Sequence, residues 1–196
     1  MTFGVLLLGF VLGLLFVAPP GPVAVTLVEI GVTQGRRAGV RSAIGIAAGD
    51  VVVAAAAAIL IGAGGAVSDD LMAGVRMFSS IALLGVGALL LTRPATVEAV
   101  AGSIRRPGRA LFAMTVLTPT VFAAWVTMIA ALPFATDAAA ITGFIVGLAL
   151  ASMLWHGVIG ALAAELGRRV HGPAMQWIAR GGGVAMVALG LATLAI

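Results

Sequence analysis

Six apolar runs, each near or above the roughly 20 residues a helix needs to cross a hydrocarbon core, leave this chain little chance of folding in water. They cover about Phe3 to Val32, Val40 to Gly64, Leu71 to Thr92, Ala110 to Leu132, Ala138 to Ala164 and Pro173 to Ile196. Charged residues make up only 9% of the 196 positions, and no polar stretch is long enough to build a soluble domain. The runs lack the alternation of barrel strands, so they predict helices. The expected fold is an all-α integral membrane protein with six transmembrane helices. The first run follows Met1-Thr2 without a basic leader and exceeds signal-peptide length, which reads as a retained span.

Orientation follows from the polar segments between the runs. Arg36, Arg37 and Arg41 mark the first, Arg93, Arg105, Arg106 and Arg109 the third, and Arg168 and Arg169 the fifth. The second carries Asp69 and Asp70 before Arg76, and the fourth only Asp137. Arginine therefore marks the odd loops, which the positive-inside rule assigns to the cytoplasm, with both termini outside. The net charge of +4 is in this light membrane topology, with no nucleic-acid partner implied. Two halves of three helices, about 1–92 and 110–196, would run in opposite orientations across a basic loop at about 93–109. That is the inverted-repeat plan of many transporters.

Inside two of these runs the helix is interrupted. Pro19-Pro20-Gly21-Pro22 places three prolines in four positions of the first, and Thr118-Pro119-Thr120 interrupts the fourth. Each proline removes a backbone donor and crowds the preceding turn, while glycine opens unusual dihedrals. Backbone groups freed in hydrocarbon are costly, so such breaks survive where protein or a water-filled cavity covers them. Pro20, Gly21, Pro22 and Pro119 are thus expected at a substrate site, the alternative being kinks with a packing role. Thr118 and Thr120 either offer hydroxyls to a substrate or satisfy carbonyls freed by the proline.

Polar groups inside the runs are the next signal, since a charge at the bilayer centre costs about 2.5 to 3.5 kcal/mol on insertion scales. Asp50 stands roughly 13 Å along a helix from Arg41, near mid-depth, where a carboxylate binds a cation, carries a proton, or stays protonated as a donor. His156 lies twelve residues before Arg168, also near mid-depth, as either a proton carrier or a structural hydrogen-bonder. Trp155 beside it offers a flat face to a substrate. Glu29 is either half of a cytoplasmic gate pair with Arg36, Arg37 or Arg41, or part of an ordinary interfacial ion pair.

Gly9 and Gly13, Gly31, Gly35 and Gly39, Gly45 and Gly49, and Gly143 and Gly147 each lie four apart. Small residues at that spacing let membrane helices approach closely; packing within the bundle is favoured over a homodimer face. The chain has no Cys, which excludes disulfides and thiolate sites. No phosphate-cradling loop occurs, no serine stands at a recognisable spacing from a base, and the acids and histidines show no metal-ligand pattern. Neither an enzyme nor a cofactor or metal is expected. A gradient-driven carrier fits best. An inorganic-cation exporter using Asp50, His156 and Glu29, and a scaffold or lipid-binding bundle without a transport cycle, are the alternatives.

Pro20-Gly21-Pro22, Gly35-Arg36-Arg37-Ala38-Gly39, Gly45 and Gly49-Asp50 together resemble the amino-terminal half of the lysine-exporter (LysE-type) family of bacterial amino-acid exporters. The likeness continues through Leu117-Thr118-Pro119, Leu154-Trp155 and Gln176-Trp177-Ile178. It implies a six-helix carrier in the bacterial cytoplasmic membrane that exports basic or neutral amino acids, driven by a proton or membrane-potential gradient. It also implies that Asp50 matches an acidic position of the lysine and arginine branch. Val23 and Thr118 stand where family members usually carry Asn.

Overall fold

The computed structural model describes residues 3–18, 22–64, 69–92 and 104–169, together with positions 177, 180, 181, 183, 184, 187, 188, 190 and 191. Helix is the one regular structure among them: α1 Phe3–Val17, α2 Pro22–Gln34, α3 Arg36–Gly62, α4 Asp69–Thr92, α5 Pro107–Leu117, α6 Pro119–Ala130 and α7 Ala138–Arg169. The sixth apolar run, Pro173 to Ile196, lies largely outside the described residues, as do Pro19, Pro20 and Gly21. Its described part includes an exposed Trp177 with the Arg180 guanidinium 5.5 Å from the ring centroid.

The first apolar run is two helices and not one, and the first loop differs from the one expected. A single residue, Gly35, separates α2 from α3, at φ 81° and ψ −179°. That left-handed backbone favours glycine. Arg36, Arg37 and Arg41 accordingly lie within α3, exposed on its first turns. The far end of α3 stops at Gly64, φ 72°, whose N–H donates to the Ile61 carbonyl, a left-handed glycine stop. Asp137 starts α7: its Oδ1 accepts from the N–H groups of Ala139 and Ala140 at 2.9 and 3.1 Å. Asp137→Ala removes this cap and is expected to destabilise the protein by about 1 kcal/mol, read as a lowered melting temperature.

α3 and α7 are each long and apolar enough to cross a bilayer; α5 and α6 meet at a 59° bend and together meet the same criterion. α1 and α2 are each shorter, but the packing lines them up along one neighbour. Gly9 and Gly13 of α1 rest on Phe144, Leu148 and Ala151 of α7, and Gly31 of α2 rests on Gly160 and Ala163 further along. Residue numbers rise together, so α1 and α2 run in succession alongside α7 and parallel to it. α3 runs the other way: Gly39 packs on Gly160, and Asp50 meets Ser152. α5 is parallel to α3, with Gly45 against Gly108 and Gly49 against Thr115. Gly9, Gly13, Gly31, Gly39, Gly45 and Gly49 thus face helices of the same chain, whereas a Cβ at Gly35 would meet nothing within 4 Å.

Two apolar layers result. Trp125, Phe144, Ile129 and Leu148 are fully buried in the core between α3, α6 and α7, and Leu27, Ile30, Ile46 and Leu111 form a second cluster between α2, α3 and α5. The outward faces are equally apolar. Phe3, Leu7, Val11 and Leu15 form an exposed stripe on α1, and Val146, Leu150, Leu154, Val158 and Leu162 form one on α7. Stripes of this kind at i, i+4 spacing suit hydrocarbon and not water.

Candidate functional site

Asp50 lies fourteen residues after Arg36 and twelve before Gly62, at the middle of α3. Ser152 lies fourteen residues after Ala138, near the middle of α7, with His156 one turn further. The antiparallel crossing of these two helices brings the three side chains together in the interior, with exposures of 3% for Asp50, 0% for Ser152 and 5% for His156. The Ser152 hydroxyl donates to Asp50 Oδ2 at 2.6 Å, and Ser152 Oγ lies 3.1 Å from His156 Nδ1. His156 Nδ1 is also 3.0 Å from the Ser152 carbonyl.

A serine carries one hydroxyl proton, and that limits the arrangement. With Asp50 ionised, the hydroxyl donates to the carboxylate, so Nδ1 must bear hydrogen and donate to the Ser152 carbonyl and Oγ. With Asp50 protonated, the carboxyl donates to Oγ and the hydroxyl turns to donate to a bare Nδ1. Where Nε2 carries a hydrogen in both, the two patterns differ by one proton passed from Nδ1 to the carboxylate through Ser152. The tautomers are assigned from this network of partners. Ser152 was missed in the sequence, where no serine was matched with a base; its i, i+4 relation to His156 was the available signal. This is not a hydrolytic triad, because serine bridges the acid and the histidine, whereas nucleophile activation requires histidine in the bridging place.

Both interruptions reach this level. Gly13 of α1 packs on Leu148 and Ala151 and Gly31 of α2 packs on Gly160 and Ala163, so Ser152 and His156 lie between the heights at which these two glycines meet α7. At the end of α1, Phe16 packs on Trp125 with ring centroids 4.3 Å apart and planes at 46°. The Trp125 indole lies beside the Asp50 carboxyl, its N–H short of a well-formed hydrogen bond. Trp125 is a second residue missed in the sequence, one and a half turns past Pro119 on α6.

The second interruption is satisfied locally. Pro119 has no N–H to offer the Thr115 carbonyl, and the Thr118 N–H takes that acceptor at 3.3 Å. The Met114 carbonyl, left without its usual donor, accepts from the Thr118 hydroxyl instead. Thr118 thus caps a freed carbonyl, one of the two roles expected for it. Thr115 at the end of α5 packs against Gly49, beside Asp50. Pro119 begins α6 and Pro22 begins α2, each at the first helical position, where its missing donor costs nothing. The side chains of Pro22, Pro119 and Thr120 are outside the described residues.

Glu29 belongs to α2, a different helix from those that carry Asp50 and His156. It is buried on α2, at 3% exposure, while Arg36, Arg37 and Arg41 are exposed. Among the described residues no three His, Cys, Asp or Glu side chains gather closely enough to hold a metal ion, so the cation site expected as an alternative from Asp50, His156 and Glu29 is not assembled. Trp155 is half-buried, with its indole N–H buried and unbonded among the described residues.

Apolar outward faces, long apolar helices and an interrupted pair around a buried polar array define a multi-pass membrane protein of the transporter class. The chain belongs to the LysE type translocator family, whose model matches residues 14–195. No curated protein and no solved structure matches it. Translocators of this family are transporters and not enzymes.

Proposed function

We propose that the protein is a secondary exporter of amino acids, basic or small neutral, in the bacterial cytoplasmic membrane, with proton movement as its driving force. The observation that carries the reading is the Asp50–Ser152–His156 array, buried at the crossing of α3 and α7 and level with both helix interruptions. A zwitterion suits such a place. The amino ends of α2 and α6 open at the interruptions, and their partial positive charge favours a carboxylate. Asp50 beside the Trp125 indole favours an ammonium group. Pro20, Gly21, Pro22, Thr118, Pro119, Thr120, Trp155 and His156 complete the proposed site, with Glu29 as a gate on the arginine-bearing side.

In this reading the chain has six spans in two inverted halves, 1–92 and 110–196, joined by a basic cytoplasmic loop, with both termini outside. The support is a correspondence between them. Each half begins with a proline-interrupted span, α1 with α2 and α5 with α6, followed by a long helix, α3 or α7. Asp50 and Ser152 then occupy the same place, fourteen residues in, on two antiparallel helices.

A screen of amino-acid uptake into proteoliposomes under an imposed pH gradient tests the proposal. Accumulation of one or a few amino acids that collapses with the gradient is expected; uniform failure across basic and neutral amino acids contradicts it. Ser152→Ala separates binding from coupling. It breaks the path between His156 and Asp50 and leaves both groups in place, so exchange of labelled for unlabelled substrate persists while pH-driven accumulation falls by about tenfold or more. Equal loss of both activities makes Ser152 a structural residue.

A further inference from the structure

We infer that the arginine-rich end of the α3–α5 pair is a binding site for one anionic phospholipid, with its phosphodiester held by guanidinium groups and an acyl chain lying on the apolar floor. A groove of about 410 Å³ opens where α3 and α5 meet. Arg41 reaches it from α3, Arg105 and Arg106 from the segment before α5, and Arg109 from the first turn of α5. All four arginines are exposed, and among the described residues no acidic side chain lines the groove.

The convergence is built into the backbone. Gly45 and Gly108 bring α3 and α5 into backbone contact, and a side chain at either position would overlap the other helix. The Gln34 amide donates to the Ile104 carbonyl at 3.0 Å, which ties the end of the linker to α2 and presents Arg105 and Arg106 toward Arg41. Topology alone needs arginines on this side of the membrane, not four of them around one cavity. Gathered positive charges repel one another, and a phosphodiester relieves that repulsion with paired hydrogen bonds.

The floor separates a lipid from a free phosphate ion. Ile44, 52% exposed, and Phe112 line the groove beside the arginines, and the ends of α3 and α5 place it at the bilayer surface. A soluble anion would gain nothing from that apolar wall, whereas an acyl chain covers it.

Native mass spectrometry on the full-length protein in detergent decides the matter, with phosphatidylglycerol, phosphatidylcholine of the same acyl chains, and inorganic phosphate as probes. The expected result is retention of one phosphatidylglycerol with roughly tenfold or greater preference over phosphatidylcholine, undisturbed by inorganic phosphate in large excess. The triple variant Arg105→Gln, Arg106→Gln, Arg109→Gln reduces the preference to near parity. Arg36→Gln with Arg37→Gln, which removes charge from the same end of α3 outside the groove, leaves it within about twofold. Equal binding of the two lipids by the native protein overturns the inference. So does displacement by inorganic phosphate, or an equal loss of preference in the Arg36 and Arg37 variant. Should the triple variant fail to purify, the native comparison and the Arg36 and Arg37 variant still decide.

Discussion

Asp50→Asn is expected to fold, insert and purify like the parent protein and to lose gradient-driven transport by about a hundredfold or more. Asparagine keeps the size of the side chain, and its amide oxygen accepts the Ser152 hydroxyl proton that Oδ2 accepts at 2.6 Å, so the α3–α7 crossing stays bonded. The lost property is the ability to take and release a proton. Because a neutral amide replaces an acid inside an apolar interior, the variant should also be at least as stable as the parent. Uptake into proteoliposomes under a pH gradient, beside thermal unfolding of the same preparation, gives both readings. Uptake within twofold of the parent removes Asp50 from the mechanism.

A second large effect comes from the α1–α7 contact. Gly147 of α7 lies against the backbone of Leu6 and Phe10, and Gly9 of α1 lies against Phe144. A Cβ at Gly147 would overlap a main-chain carbonyl, which cannot rotate out of the way. Gly147→Ala must therefore push α1 away from α7, at a cost of about 1 to 3 kcal/mol, and loosen Phe16 from Trp125. Gly157→Ala on the same helix meets nothing within 4 Å, and the better helix former stabilises by up to about 1 kcal/mol. Thermal unfolding of the two variants should move in opposite directions. Equal shifts would show that α1 does not dock as described.

Much of this was legible in the residues, for a definite reason. A carboxylate or imidazole is so costly in hydrocarbon that Asp50 and His156 stood out, and the proline-rich interruptions were visible as breaks in apolar runs. The glycine pairs carried their packing role in their spacing. Ser152 and Trp125 were not legible, because serine is cheap in a membrane helix and tryptophan is an ordinary core residue. Their roles come from which helices cross and at what height. Thr118 was ambiguous until the fate of the Met114 carbonyl was known. The one-residue turn at Gly35 was hidden by its arginine neighbours, whose charge reads as loop although they begin α3. The alternative of a cation held by Asp50, His156 and Glu29 finds no three-ligand cluster among the described residues.

In the proposed mechanism substrate movement and proton movement share the Asp50–Ser152–His156 array. Proteoliposomes loaded with a pH-sensitive dye test it most directly, through the change in lumenal pH when an amino acid is added on one side at zero initial gradient. A substrate-dependent proton flux is expected in the native protein, absent in Asp50→Asn and strongly reduced in Ser152→Ala. Amino-acid transport that proceeds in the native protein with no accompanying pH change would contradict it.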